Sequence, residues 1–253
     1  MDARRVWLTA FAALGAAYGR AGELTDLPPA SGAGIERGVA LLQCTLPDSE
    51  ILRLSRATVI DVGSEARADV LLTTAHGLPS SAEGIERDCR VLVRGKEYAI
   101  RAAWHAGGHE AGAAHDWTVL LLAERIKGDL LRWRATEVAA SWLDELVAGR
   151  AHVRLVLRYA DAVHTDCRLE SWTAQRLLAH SCVTYPGVSG SPLAVGVDFA
   201  PVLIAIHVGS ELSFDGTRFD MQSVARPLDA AIIAAIDAAA IGASQPSQRR
   251  RRH

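Results

Sequence analysis

Short β-forming runs, repeated at close spacing with Gly, Asp or Ser clusters between several of them, restrict what this chain can become more than any other feature. Ala57–Asp61, Val70–Thr74, Arg90–Arg94, Glu97–Arg101 and Trp117–Leu122 form a first series of apolar or β-branched segments. His152–Tyr159, His164–Leu169, Gln175–His180, Pro192–Val197 and Val202–Val208 form a second. Strands at such spacing point to sandwiches or barrels rather than alternating βαβ units. A more polar stretch from Glu124 to Glu137 separates the series and is the natural seam between two halves. The chain's 253 residues give room for one large or two small domains with a real core.

The ends read differently. Arg4 and Arg5 precede an apolar stretch from Val6 to Gly19, and Ala17, Gly19 and Ala21 offer small residues for cleavage. This is the pattern of a signal peptide over residues 1–21, and the stretch is short for a bilayer span, which needs about 20 residues. A secreted or periplasmic mature chain with no membrane span is therefore expected. Residues 228–241 are Ala- and Ile-rich with Asp229 near the start, and read as a C-terminal helix. Residues 242–253 end in four arginines and a histidine without interleaved aromatics, the composition of a solvated, disordered basic tail. A formal net charge of −2 favours neither a nucleic-acid nor a membrane partner, so partner choice must come from a site.

Three local patterns carry chemistry. In Gly187-Val188-Ser189-Gly190-Ser191-Pro192, small neighbours let a substrate carbonyl approach the serine Oγ while backbone amides converge on a developing oxyanion. Val70 to Gly77 is an apolar strand ending in His76 just before a turn, where a general base can face a cleft. His115-Asp116-Trp117-Thr118-Val119-Leu120 puts an acid at the mouth of another strand. A serine is a weak nucleophile until an imidazole accepts its proton and a carboxylate fixes the imidazole tautomer. Four cysteines lacking CxxC spacing, in a chain with an export signal, suggest two disulfides rather than a zinc site.

Together these residues resemble the trypsin/chymotrypsin superfamily. Thr73-Thr74-Ala75-His76 is similar to its TAAH motif, Asp116 to Leu120 to its D-x-A-L-L segment, and Gly187 to Pro192 to its GDSGGP, in the family's order His, Asp, Ser. The resemblance covers roughly residues 38–240. It implies an all-β peptidase domain over 22–227 built of two six-stranded antiparallel Greek-key β-barrels, one at about 38–125 and one at about 137–227, followed by the helix. It implies a serine endopeptidase with catalytic His76, Asp116 and Ser189, an oxyanion hole at the amides of Gly187 and Ser189, protein or peptide substrates, and no metal or cofactor. The cysteines fit it as Cys44–Cys89 and Cys167–Cys182, the second bracing the nucleophile loop. The Gly-x-Ser-Gly-Ser-Pro form is most similar to the bacterial glutamyl endopeptidases. That branch would read Glu or Gln before the scissile bond with Thr184 and His207, and pair Gly209 with the substrate backbone. Val183 stands where trypsin-like pockets keep an acid. Val188 replaces the aspartate that a newly cut N-terminus pairs with, and Gly77 replaces the cysteine after the histidine.

Three other readings compete. A nucleophile elbow of an α/β-hydrolase needs acid then histidine after the serine, and only His207 and His253 follow Ser189. A metal site could draw on His105, His109, Glu110, His115 and Asp116, but Ala113 occupies the second histidine's place in an HExxH pattern. A catalytically silent binding protein on a protease scaffold is the alternative that the complete set of three residues argues against.

Overall fold

Six antiparallel strands close a first barrel: β1 (Val39–Thr45), β2 (Leu52–Ile60), β3 (Val70–Thr73), β4 (Cys89–Val93), β5 (Lys96–His105) and β6 (Thr118–Leu122). Their order is β1-β2-β3-β6-β5-β4, with β4 returning to β1. A second closed barrel holds β7 (His152–Tyr159), β8 (Ala162–Trp172), β9 (Leu178–His180), β10 (Pro192–Val195), β11 (Val202–Phe214) and β12 (Phe219–Pro227). Its order is β10-β11-β12-β9-β8-β7, with β7 pairing back to β10. This computed structural model describes residues 35–45, 52–105, 112–159, 162–196, 201–214 and 219–245. The expected signal peptide, the four arginines near the C-terminus, and His109 and Glu110 lie outside them.

Strands β3 and β6 of the first barrel, which the C-terminal helix covers from outside, are buried on both faces. In β3 all four residues are buried. Leu71 joins Val59, Leu120 and Leu122 in the interior of the first barrel, whereas Val70 and Leu72 join Ile60, Val119 and Leu121 in a cluster that continues through the second barrel. A strand covered on both faces reads as an unbroken apolar run instead of an alternating one, which is why β3 and β6 stand out in the sequence.

Three helices complete the fold: α1 (Ala82–Asp88), α2 (Ala140–Ala148) and α3 (Ala230–Ser244). The last starts two residues later than the sequence suggests because Asp229 is its cap, accepting the Ile232 amide at 3.1 Å. Ile232 and Ile236 are buried in the shared cluster, each contributing about 1.5–3 kcal/mol by burial. Arg101 donates to the Gly242 carbonyl at 2.5 Å and the Arg67 amide to that of Ala243 at 3.0 Å. The C-terminal helix is thus fastened to the first barrel although it follows the second in sequence.

The connection between barrels is fastened too. Asp69, fully buried, accepts the Ile126 amide at 2.7 Å and two guanidinium bonds from Arg132, at 2.7 and 3.1 Å. Trp133 bridges to Ile60, exchanging backbone bonds with Val59 and Asp61. Cys44 is bonded to Cys89, which is its direct partner in the β1–β4 register, and Cys167, midway along β8, to Cys182, just beyond the end of neighbouring β9.

Candidate active site

His76 and Asp116 come together because β3 and β6 are neighbours in register. Thr73 pairs with Thr118, so the residues just after β3 and just before β6 leave the barrel at the same rim. A short 3-10 turn, Ala113–His115, delivers Asp116 to that point. Asp116 is buried, and its carboxylate accepts three bonds: the amides of Ala75 at 2.8 Å and His76 at 2.7 Å on Oδ1, and His76 Nδ1 at 2.5 Å on Oδ2. With Nδ1 donating to a carboxylate, a neutral ring leaves Nε2 as an acceptor. Ser189 Oγ lies 3.0 Å from it.

Ser189 arrives from the other barrel, on the loop between β9 and β10. The Ser191 amide donates to Val188 O at 3.0 Å, and the Gly190 amide to His207 O at 2.8 Å, which coils the loop against β11. Across the seam, Arg56 N donates to Ser189 O at 2.7 Å and Thr58 Oγ1 to Gly190 O at 2.9 Å. This close docking is what demands glycine at 190: φ is +88°, and a Cβ would meet the Arg56 carbonyl oxygen at 1.9 Å. Gly187 also has φ +88°. Among the described residues, the amides of Gly187 and Ser189 donate to no acceptor.

Beyond the serine, Thr184 Oγ1 lies 3.1 Å from Ser223 Oγ, and Ser223 donates to the Cys182 carbonyl at 3.3 Å. Val183 and Tyr185, on either side of Thr184, are exposed. Gly209 occupies a bulge where the β11–β12 register shifts. His207 is buried, with Nδ1 3.2 Å from Nε2 of His180, itself buried on β9. The rings meet edge to face. Burial pushes the His180 imidazole down to about 4. Burial, then the neighbouring His180 and His76, push that of His207 well below the usual histidine value, so both rings are neutral at pH 7.

Sequence reasoning passes over His180, Ser223, Thr58 and Arg56. Only His180 carries a local signal, its spacing of two from Cys182. Among the described residues, the metal-type donors that cluster are Cys167, His180 and Cys182, not the histidines flanking Asp116.

No family model and no curated protein matches the chain. Among solved structures, the protease Anisep from Arthrobacter nicotinovorans superposes with a TM-score of 0.57 at 11% identity, covering 81% of this chain and 96% of that one. The thermostable serine protease AL20 from an extremophilic microorganism superposes with a TM-score of 0.54 at 9% identity, covering 83% and 99%. At such identities the likeness concerns the fold, and the fold is trypsin/chymotrypsin-like.

Proposed function

We propose that the chain is a serine endopeptidase whose nucleophile is Ser189. The observation that carries this reading is the unbroken line from the Asp116 carboxylate through His76 to the Ser189 hydroxyl, at 2.5 and 3.0 Å, beside two amides without internal acceptors. Ser189 Oγ attacks the peptide carbonyl as its proton passes to His76 Nε2. Asp116 holds the Nδ1–H tautomer and stabilises the imidazolium, and the amides of Gly187 and Ser189 receive the oxyanion. His76 then protonates the leaving amine, and a water, deprotonated by the same ring, releases the acid from the acyl-enzyme. The two disulfides and the absence, among the described residues, of any helix long and apolar enough to cross a membrane suit action in an oxidising, extracytoplasmic compartment.

The residue before the scissile bond is Glu or Gln in this reading. Thr184 and His207 present a hydroxyl and an imidazole, no acid stands at 183, and Gly209 leaves room for a substrate strand. A fluorophosphonate probe should label Ser189, with labelling lost in Ser189→Ala. A peptide library should show cleavage after Glu or Gln. An unlabelled folded wild type refutes the hydrolase. Cleavage after Arg, Lys or large aromatics, or a preference that survives His207→Ala, refutes the pocket alone.

A further inference from the structure

The two disulfides have different surroundings. Cys44–Cys89 joins two strands inside the apolar interior of the first barrel. Cys167–Cys182 has a third donor beside it: one ligand atom each from Cys167, His180 and Cys182 falls within 4.8 Å of the others, all three residues being buried. The described residues contain no other such group. His180 is also already oriented. Nε2 faces His207, and Nδ1 accepts a long hydrogen bond, 3.3 Å, from the backbone amide of Cys182, which a metal bound at Nδ1 would replace.

We infer that Cys167, Cys182 and His180 form a second-state zinc site: when the disulfide is reduced, the two thiolates and the His180 imidazole bind one Zn²⁺, and the metal replaces the covalent bond as the brace between the middle of β8 and the segment that follows β9. The chemistry balances with a dithiol as reductant. The dithiol supplies two electrons and two protons and becomes a disulfide; Cys167 and Cys182 become thiols. Zn²⁺ then displaces the two thiol protons. Two thiolates cancel the charge of the dication, so no net charge is placed in the buried cluster. Sulfur and imidazole donors select zinc over magnesium or calcium. Zinc–sulfur bonds near 2.3 Å put two tetrahedral sulfurs about 3.8 Å apart. The Cys167 and Cys182 Cα atoms are 4.9 Å apart, so rotation about the Cα–Cβ bonds opens that span without moving strands. His207 supplies the outer hydrogen bond that orients a ligating histidine. Cys182 precedes Ser189 by seven residues and its carbonyl holds Ser223, so the state of this brace reaches the nucleophile loop; the metal site itself does not depend on Ser189 being catalytic.

Binding is the direct test. The full chain is reduced with a phosphine, freed of excess reagent without air, and titrated with Co²⁺ as a coloured probe for Zn²⁺. One Co²⁺ per reduced chain is expected, with thiolate charge-transfer and tetrahedral visible bands that Zn²⁺ abolishes and Mg²⁺ does not. The oxidised chain should show no bands, and His180→Asn should weaken binding at least ~10-fold. In alkylation mapping of the reduced wild type, Zn²⁺ should protect Cys167 and Cys182 and leave Cys44 and Cys89 to react, a measurement that needs no variant to fold. A reduced chain without the bands, protection of Cys44 and Cys89 instead, or unchanged affinity in His180→Asn overturns the inference.

Discussion

The barrels bury polar groups in opposite ways. In the first, the buried acids have several fixed partners: Asp69 accepts two bonds from Arg132 and one from the Ile126 amide, and Asp116 accepts two amides and an imidazole. In the second, the buried pair is neutral, His180 against His207, and the half-buried Thr184 hydroxyl lies against Ser223. The strand registers follow suit. One irregularity, between Ile100 and Ala102, interrupts the described ladders of the first barrel. The second has shifts at Val156/Tyr159, Leu169/Ser171, Leu193/Ala194 and His207/Gly209. Bulges re-aim side chains beside sites. In the proposed enzyme, the first barrel supplies a rigid base and its orienting acid, and the second the surface that selects what is cut.

The division breaks most visibly in catalysis. Removing Ser189 or His76 by alanine, one from each barrel, is expected to lower kcat by on the order of 10⁶, and removing both by little more, because groups acting as one unit are not additive. Steady-state kinetics showing multiplied losses in the double variant would separate the barrels' roles and refute the assignment. Next in size is Asp69→Ala. It leaves the half-buried Arg132 guanidinium with the Ile126 carbonyl alone and takes the acceptor from the Ile126 amide, and is expected to cost about 3 kcal/mol in urea unfolding. A loss below 1 kcal/mol would show that the first barrel does not depend on its charged anchor. Gly190→Ala tests the seam itself: the added methyl must displace the loop from Arg56 O, and a shift near 1 Å is expected to cost about 10²-fold in kcat/KM. Wild-type kinetics there would mean the loop docks less closely than 1.9 Å implies.

How far the sequence speaks depends on how local each signal is. His76, Asp116 and Ser189 each carry a motif of their own, a strand end or a glycine-flanked turn, and these are the three side chains that the fold brings within hydrogen-bond reach. The two-barrel architecture follows from strand spacing and the family resemblance. Helix α2 gives little warning because its N-cap is Ala139, with no side-chain bond to mark a start. Strand β12 mixes Asp220, Gln222, Ser223 and Arg226 into its run, and is a strand because β11 and β9 pair with it on either side. Asp69 and Arg132 are 63 residues apart, and His180 and His207 are 27 apart. No window along the chain contains both members of either pair, and a buried histidine becomes a finding only once its neighbour is known.

The smallest expected effect concerns acid, and it tests the contrast without reference to catalysis. His180 titrates at about 4 in the fold and near 6.5 in an unfolded chain. Between those values the unfolded state holds the extra proton, so stability is full above about pH 6.5 and falls as pH drops towards 4. Linkage over that interval gives a loss of about 2 kcal/mol between pH 7 and pH 5 from His180 alone. His207, also depressed, acts in the same direction. Urea midpoints measured across this range should fall with acid, and the slope should flatten in His180→Gln, which keeps a polar side chain beside His207 but does not titrate. Hydrogen exchange localises the effect: at pH 5 the amides of β9 and β11 should lose protection before those of β3 and β6. An unchanged slope in His180→Gln, or first opening at β3, would place the acid-sensitive element in the barrel with the paired charges and reverse the comparison.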